Sequence, residues 1–259
     1  MDLDKYINQF SIDEIIKIEH QDRQFLTLKK TREKINIGND KNLNSDLFLF
    51  LILQNSIISY QIAGNGNLRR EEFGQKIQSD FFYLKELFKS GKDNLDRRYK
   101  FITTSKYNKR LYNLKLKRLQ KFEKFRTYKL NSLKKPNNFI QTYYKNLNIL
   151  LEEISLTLNN KKNTKTVVFA IKMFGYGARI ISKKFIYYPK NISIPVDSRL
   201  KKIYSIQFQI KNEKEEIIQK YFENLAKKLN ISPLHLDSLL RIDYREKYIK
   251  SKKNRYYIN

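Results

Sequence analysis

KTVVFAIKMFGYGARI, Lys165–Ile180, is the most apolar window in a lysine-loaded chain, and it keeps two lysines of its own. Asn163 or Thr164 precedes it as an N-cap, so Lys165 opens the first helical turn. That is the unfavourable end for a structural cation. A helix N-terminus carries about half a positive charge and disfavours another by a few tenths to about 1 kcal/mol. The same repulsion favours the neutral amine, a nucleophile able to form a Schiff base. Taken alone, Lys165 fits a surface residue after a Lys-rich loop better than a nucleophile. Phe169 and Lys172 follow at i+4 and i+7 on one helical face. At 1.5 Å rise per residue, Lys172 stands about 10 Å along the axis. Val167, Val168, Ala170 and Ile171 cover the remainder. Lys172 either meets an anion, a carbonyl or a cavity, or runs its stem out to solvent.

Working outward, helical spacing dominates and no strand–turn–strand rhythm appears. SIDEIIKI (Ser11–Ile18) starts with a capping box, Ser followed three residues later by Glu. SDLFLFLILQNSIISYQIAG reads as a buried helix ending at Gly64, with GNGN as the turn. REEFGQKIQSDFFYLKELFKS stops at Gly91. NKRLYNLKLKRLQKFEKF is amphipathic, with a Lys/Arg face opposite its leucines and phenylalanines. NFIQTYYKNLNILLEEISLTL follows a break at Pro136, and the polar hinge NNKKNTK leads into Lys165. FIYYPKNISIPVDSRL is irregular and holds two of the four prolines. Three helices follow, in SRLKKIYSIQFQI, EKEEIIQKYFENLAKKLN and SPLHLDSLLRIDYREKYI, and a basic, frayed tail, KSKKNRYYIN. The expectation is an all-α fold of nine or ten helices.

Composition narrows the function. The 259 residues suffice for one large domain or two small ones sharing a core, and 18 Tyr and 17 Phe supply apolar surface to bury. With no cysteine, disulfides, thiolate metal sites and iron–sulfur clusters are excluded. His20 and His235 are too few for a His-based metal centre, so no metal and no cofactor is expected. No run of about 18 apolar residues suggests a membrane span. MDLDKYINQF lacks the pattern of a signal peptide, so the expectation is a cytoplasmic protein. Against 26 acidic residues stand 53 Lys and Arg, a net charge of +27. Such a field attracts polyanions, above all nucleic acid. An A/T-rich coding bias and a membrane surface are the blander explanations.

Two further segments carry chemistry. In IPVDSRL, Pro195 fixes the approach and Asp197 N-caps the helix from Ser198. A carboxylate there is a plain cap, or one that also acts as a base or as an electrostatic stabiliser. In SPLHLDSLLRIDYRE, Pro233 suits the first helical position. Asp237 and Arg241 share a face at i,i+4, the spacing of an ordinary exposed ion pair.

Together, KTVVFAIKM, ISIPVDSR and PLHLDSLLR resemble, in the same order, the motifs KTVVFAIKM, IPIPVDxR and PLHLDSLLW of the archaeal 8-oxoguanine DNA glycosylases of the helix-hairpin-helix (HhH-GPD) superfamily. RQFLTL and YQIAGNGNLRREEF are similar to that family's N-terminal motifs. The resemblance spans about residues 20–245 and is weakest over about 80–140. It implies two helical subdomains, roughly 40–185 and 1–39 plus 186–259, with an active-site cleft between them and an atypical helix-hairpin-helix element. It also implies a bifunctional enzyme, a DNA glycosylase and abasic-site lyase, working in base excision repair. The partner is double-stranded DNA containing oxidised guanine, met by a nucleoid-associated monomer. By the same resemblance, Lys165 is the Schiff-base nucleophile and Asp197 the acid/base and electrostatic partner. Phe169 stacks on the flipped base, Lys172 meets its polar groups or anchors Asp197, and Gln24 and Asp237 read its edge. Arg241 stands where the family has Trp, and Arg70 stands near a second such position in a chain with no Trp. NNKKNTK lacks the hairpin glycines, which leaves lysine side chains to meet phosphate. The alternatives are a related glycosylase with altered lesion choice, and a non-catalytic basic helical DNA-binding protein. The last explains charge and helices, but not a Lys at a helix start together with a Pro-Val-Asp corner.

Overall fold

The computed structural model describes residues 3–35, 41–62, 66–90, 104–132 and 138–249, and among them every regular element is helical. The described residues form two compact units, one from 23–186 and the other from 1–22 together with 187–259.

The larger unit is built on LFLFLIL, Leu47–Leu53, which is apolar all round and buried throughout. Only a central helix suits such a sequence. It lies in α4 (Lys41–Ile57). The last helix of the unit, α9 (Lys165–Ser182), packs most extensively on α4 and also on α3 (Arg23–Ile35). The close fit needs Gly177, where a Cβ would stand 2.5 Å from Ile52 Cδ1. α5 (Gly66–Ser90) covers α3, and α6 (Tyr112–Ser132) covers α4. α7 (Asn138–Tyr143) and α8 (Leu147–Leu158) complete the unit. α8 and α9 pack on each other as a hairpin, with Asn159 closing α8 in the left-handed conformation (φ 52°).

Several boundaries differ from the sequence pattern. α4 ends at Ile57, not Gly64, because two arginines distant in sequence take its last carbonyls. Arg69 donates to Asn55 O (3.3 Å) and Arg118 to Ile57 O (3.3 Å). α5 already includes Gly66 of the expected GNGN turn. NFIQTYYKNLNILLEEISLTL is two helices, and next to the break the Tyr144 hydroxyl bonds Lys184 O (2.7 Å) and Ile186 N (3.1 Å). α3 has no counterpart among the segments singled out by periodicity, and it packs on α5 and α9. Residues 23–35 therefore join the larger unit rather than the smaller, to which the expected boundary near residue 40 assigned them. The expected turn residue Gly64, the stops at Gly91 and Pro136, and the basic tail lie outside the described residues.

The smaller unit gathers α1 (Leu3–Ile7), α2 (Ile12–His20), α10 (Ser198–Phe208), α11 (Glu215–Lys228) and α12 (Pro233–Leu239) around one apolar cluster that includes Leu3, Ile15, Ile194, Phe222 and Leu239. The capping box forms as its residues require, Ser11 accepting from Glu14 N and Glu14 accepting from Ser11 N. From Leu240 the chain winds on as a π-helix to Ile249. Among the described residues, no helix is long and apolar enough to cross a membrane.

Candidate active site

In the larger unit, α9 begins at Lys165, as its N-cap pattern requires. Thr164 is the cap by backbone (φ −62°, ψ 131°) and makes no side-chain capping bond. Lys165 is exposed, and Thr166 beside it is tied down by Arg118, whose guanidinium donates to Thr166 Oγ1 (3.2 Å) and lies 4.2 Å from the Tyr60 ring centre. One turn on, Phe169 and then Met173 enter the wall of a narrow crevice. Its other walls are Gln24, Leu28 and Thr31 of α3, Asn55 and Ser59 at the end of α4, and Arg70 and Phe73 of α5. The face that starts with Lys165 thus runs into a recess carrying an aromatic ring, an amide and hydroxyls.

Lys172 has no exposed surface, so its stem does not reach water. Its ammonium lies 5.8 Å from the Tyr176 ring centre, and the residue is not among those lining the crevice. Behind the crevice sits a buried basic group. Arg69 donates to Asn108 Oδ1 (3.0 Å) and Ser59 Oγ (2.7 Å). Burial, with Arg70 adding repulsion and Glu72 opposing, lowers Arg69 to about 9. Lys115, also without exposed surface, is lowered to about 8 by burial and by Arg69.

In the smaller unit, Asp197 caps α10. Its Oδ1 accepts from Arg199 N (2.9 Å) and Leu200 N (3.2 Å), and its Oδ2 from the Arg199 side chain, with Nε at 2.7 Å. Burial alone would lower Arg199, but the Asp197 charge and hydrogen bond, with Asp237 further off, raise it. Arg199 thus stands in the field of both site carboxylates. The loop carrying Asp197 is pinned at three points. Tyr188 N donates to His235 Nε2 (3.2 Å), Ser232 Oγ to Pro189 O (3.0 Å), and Gln219 Nε2 to Ile194 O (3.0 Å). Because Nε2 accepts, His235 carries its proton on Nδ1 and gives it to Glu19 (2.8 Å). Glu19, His235 and Gln219 have no sequence signal of their own; each acts through a partner far along the chain.

Asp237 and Arg241 do not form an exposed pair: their side chains are interior, Asp237 at 5% residue exposure and Arg241 at 10% side-chain exposure. The Arg241 guanidinium pairs with Asp22. Burial lowers Arg241 to about 10, against the Glu19 charge.

A family model described as AGOG, N-glycosylase/DNA lyase, matches residues 4–253. The chain belongs to the AGOG N-glycosylase/DNA lyase family. It is 39% identical over 223 residues to the N-glycosylase/DNA lyase of Methanococcus maripaludis, covering 86% of this chain and 78% of that one. With the N-glycosylase/DNA lyase of Thermococcus kodakarensis it shares 35% over 222 residues, 86% of this chain and 74% of the relative. Among solved structures, 8-oxoguanosine-complexed Pa-AGOG, the 8-oxoguanine DNA glycosylase from Pyrobaculum aerophilum, matches with a TM-score of 0.71 and 25% identity, over 93% of this chain and 86% of that one. As a family member this chain is a bifunctional DNA glycosylase and DNA lyase, and the reading as a non-catalytic DNA-binding protein falls.

Proposed function

We propose that this enzyme excises 8-oxoguanine from duplex DNA through a lysine Schiff base and then cuts the strand by β-elimination, acting as a monomer. The observation that carries the proposal is the run of Lys165, Phe169 and Met173 at four-residue spacing on α9. The first is an exposed amine at the helix start, and the other two line the crevice shared with Gln24. The substrate class is supported by the likeness to the 8-oxoguanosine-bound relative.

In this reading Lys165 Nζ attacks C1′ as the glycosidic bond breaks, and the base leaves with the bonding electrons. Asp197 stabilises the positive charge growing on the sugar. Both of its oxygens are engaged by amides and by Arg199, so its resting role is a fixed negative charge. To accept the lysine's proton it exchanges the Arg199 contact for it. The adduct opens to a Schiff base, and loss of a C2′ proton expels the 3′ phosphate. Phe169 stacks on the base, whereas Lys172 lies outside the crevice lining and Arg241 is held by Asp22. Gln24 and Asp237 read its edge. A carboxylate at Asp237 accepts the N7–H of 8-oxoguanine, whereas the N7 lone pair of guanine would leave it unpaired.

The test is a duplex bearing one 8-oxoguanine, incubated with enzyme and borohydride. A covalent adduct is expected with the native enzyme and none with Lys165→Ala. An adduct that persists in Lys165→Ala removes the lysine from the nucleophile's role.

A further inference from the structure

A glycosylase must release a base that departs with an electron pair, and the crevice holds a cation suited to receive that charge. Among the described residues lining it, Arg70 is the one charged side chain. It comes from α5, whereas Phe169 comes from the nucleophile's own helix and Gln24 from α3. Its helical neighbour one turn back is Gly66, and a Cβ there would make ordinary contact with the guanidinium, 3.7 Å from Arg70 NH2. Behind it the field is positive. Arg69 and Lys115 are both buried, and the two carbonyl-capping arginines Arg69 and Arg118 flank the end of α4. Glu72, the one carboxylate acting on Arg69, also accepts from Ser105 (2.6 Å). Arginine is the suitable cation: it stays charged in a partly dry site, and its planar fork matches carbonyl oxygens of an oxidised purine.

We propose that Arg70 is a catalytic residue of the excision step, stabilising the departing base as an anion. The proposal rests on the Lys165 reading above. Lys165 Nζ forms its bond to C1′ as C1′–N9 breaks. The electron pair moves onto N9 and is delocalised to the base carbonyl oxygens, where the guanidinium meets it. The Lys165 nitrogen, carrying an extra proton once it is bonded to C1′, then releases that proton to neutralise the base. Such stabilisation favours the transition state over bound substrate, because the negative charge exists only as the bond breaks. It follows that lesions rich in carbonyl oxygens gain most from Arg70.

The experiment is single-turnover excision by Arg70→Gln and Arg70→Lys, on duplexes carrying leaving bases of graded N–H acidity. Strand cleavage at a preformed abasic site is followed beside it, where no base departs. Arg70→Gln should excise about 10²-fold more slowly, with the deficit steepest for the least acidic base and partly restored in Arg70→Lys. Cleavage of the abasic strand should fall far less. Unchanged excision overturns the proposal. So does an equal loss on all bases, or an equal loss of both steps, which marks a structural role. If the native enzyme forms no borohydride adduct even with abasic DNA, it is the lysine reading that fails, and this proposal with it.

Discussion

Replacing Asp197 with Asn separates the cap from the chemistry. Asn retains Oδ1, so it can still accept from Arg199 N and Leu200 N, and the first turn of α10 stays closed. What disappears is the charge and its contact with the Arg199 guanidinium. That pair is only partly buried, with side chains 37% and 13% exposed, so it is worth about 0.2–1 kcal/mol. The carboxylate's interaction with the helix N-terminus adds about 0.3–1 kcal/mol. Together these predict a stability loss of about 0.5–2 kcal/mol, and a Tm fall of roughly 2–4 °C per kcal/mol for a chain of this size. Removing a preorganised charge from a transition state costs far more, about 10²–10³ in rate. Calorimetry and single-turnover excision at neutral pH read the two effects separately. Asp197→Ala loses the cap as well, a further 0.5–2 kcal/mol or so, and should melt below Asp197→Asn while being no less impaired in excision. An Asp197→Asn enzyme that excises at the native rate would refute the electrostatic role. One that melts as low as Asp197→Ala would show that the charge, not Oδ1, holds the helix.

Two further substitutions probe the larger unit. Gly177→Ala sets a methyl group 2.5 Å from Ile52 Cδ1 and 3.1 Å from Leu49 Cδ2. Overpacking of about 1–3 kcal/mol against a helix-propensity gain of about 1 kcal/mol leaves a net loss of up to roughly 2 kcal/mol. Thermal melting checks this, and a raised Tm contradicts the packing argument. Lys115→Met should be more stable than the native enzyme at pH 7, because Lys115 is lowered from 10.5 to about 8. Below pH 8 the native protein bears a buried charge; between 8 and 10.5 its unfolded chain binds the extra proton, so native stability rises with pH relative to the variant. The gain in Tm should therefore shrink across that window, and a constant difference from pH 7 to 10 would contradict it.

The legible part of the molecule is the part decided locally. The Ser11–Glu14 capping box, the Asp197 cap, Pro233 at a helix start and Lys165 in a first turn all follow from residues within a few positions of one another. The apolar run Leu47–Leu53 declares a core helix by itself. Helix ends that depend on distant partners do not show. Gly64 is the residue that local rules choose to stop α4, yet the helix ends at Ile57, where Arg69 and Arg118 take the carbonyls of Asn55 and Ile57. Periodicity likewise paints Lys115 onto a solvated face, although it is interior. A basic chain offers many cations, and composition cannot say which few are drawn inward.

That sorting of cations bears directly on the site. Arg241 stands where the resemblance has a tryptophan and Arg70 stands near a second such position, and they meet different fates. Arg241 pairs with Asp22 in the interior of its unit and is lowered by burial. Arg70 lines the crevice with Phe169 and Gln24. A tryptophan would offer the same crevice a flat apolar surface, which holds a base equally well before and after its bond breaks. An arginine there discriminates between the two states, because its charge answers to the negative charge the base acquires on leaving. The loss of the ring therefore does not by itself imply a weaker enzyme. It moves interaction energy from binding the base to releasing it, and the ratio of excision rates on good and poor leaving bases, in Arg70→Gln against the native enzyme, measures how far that shift has gone.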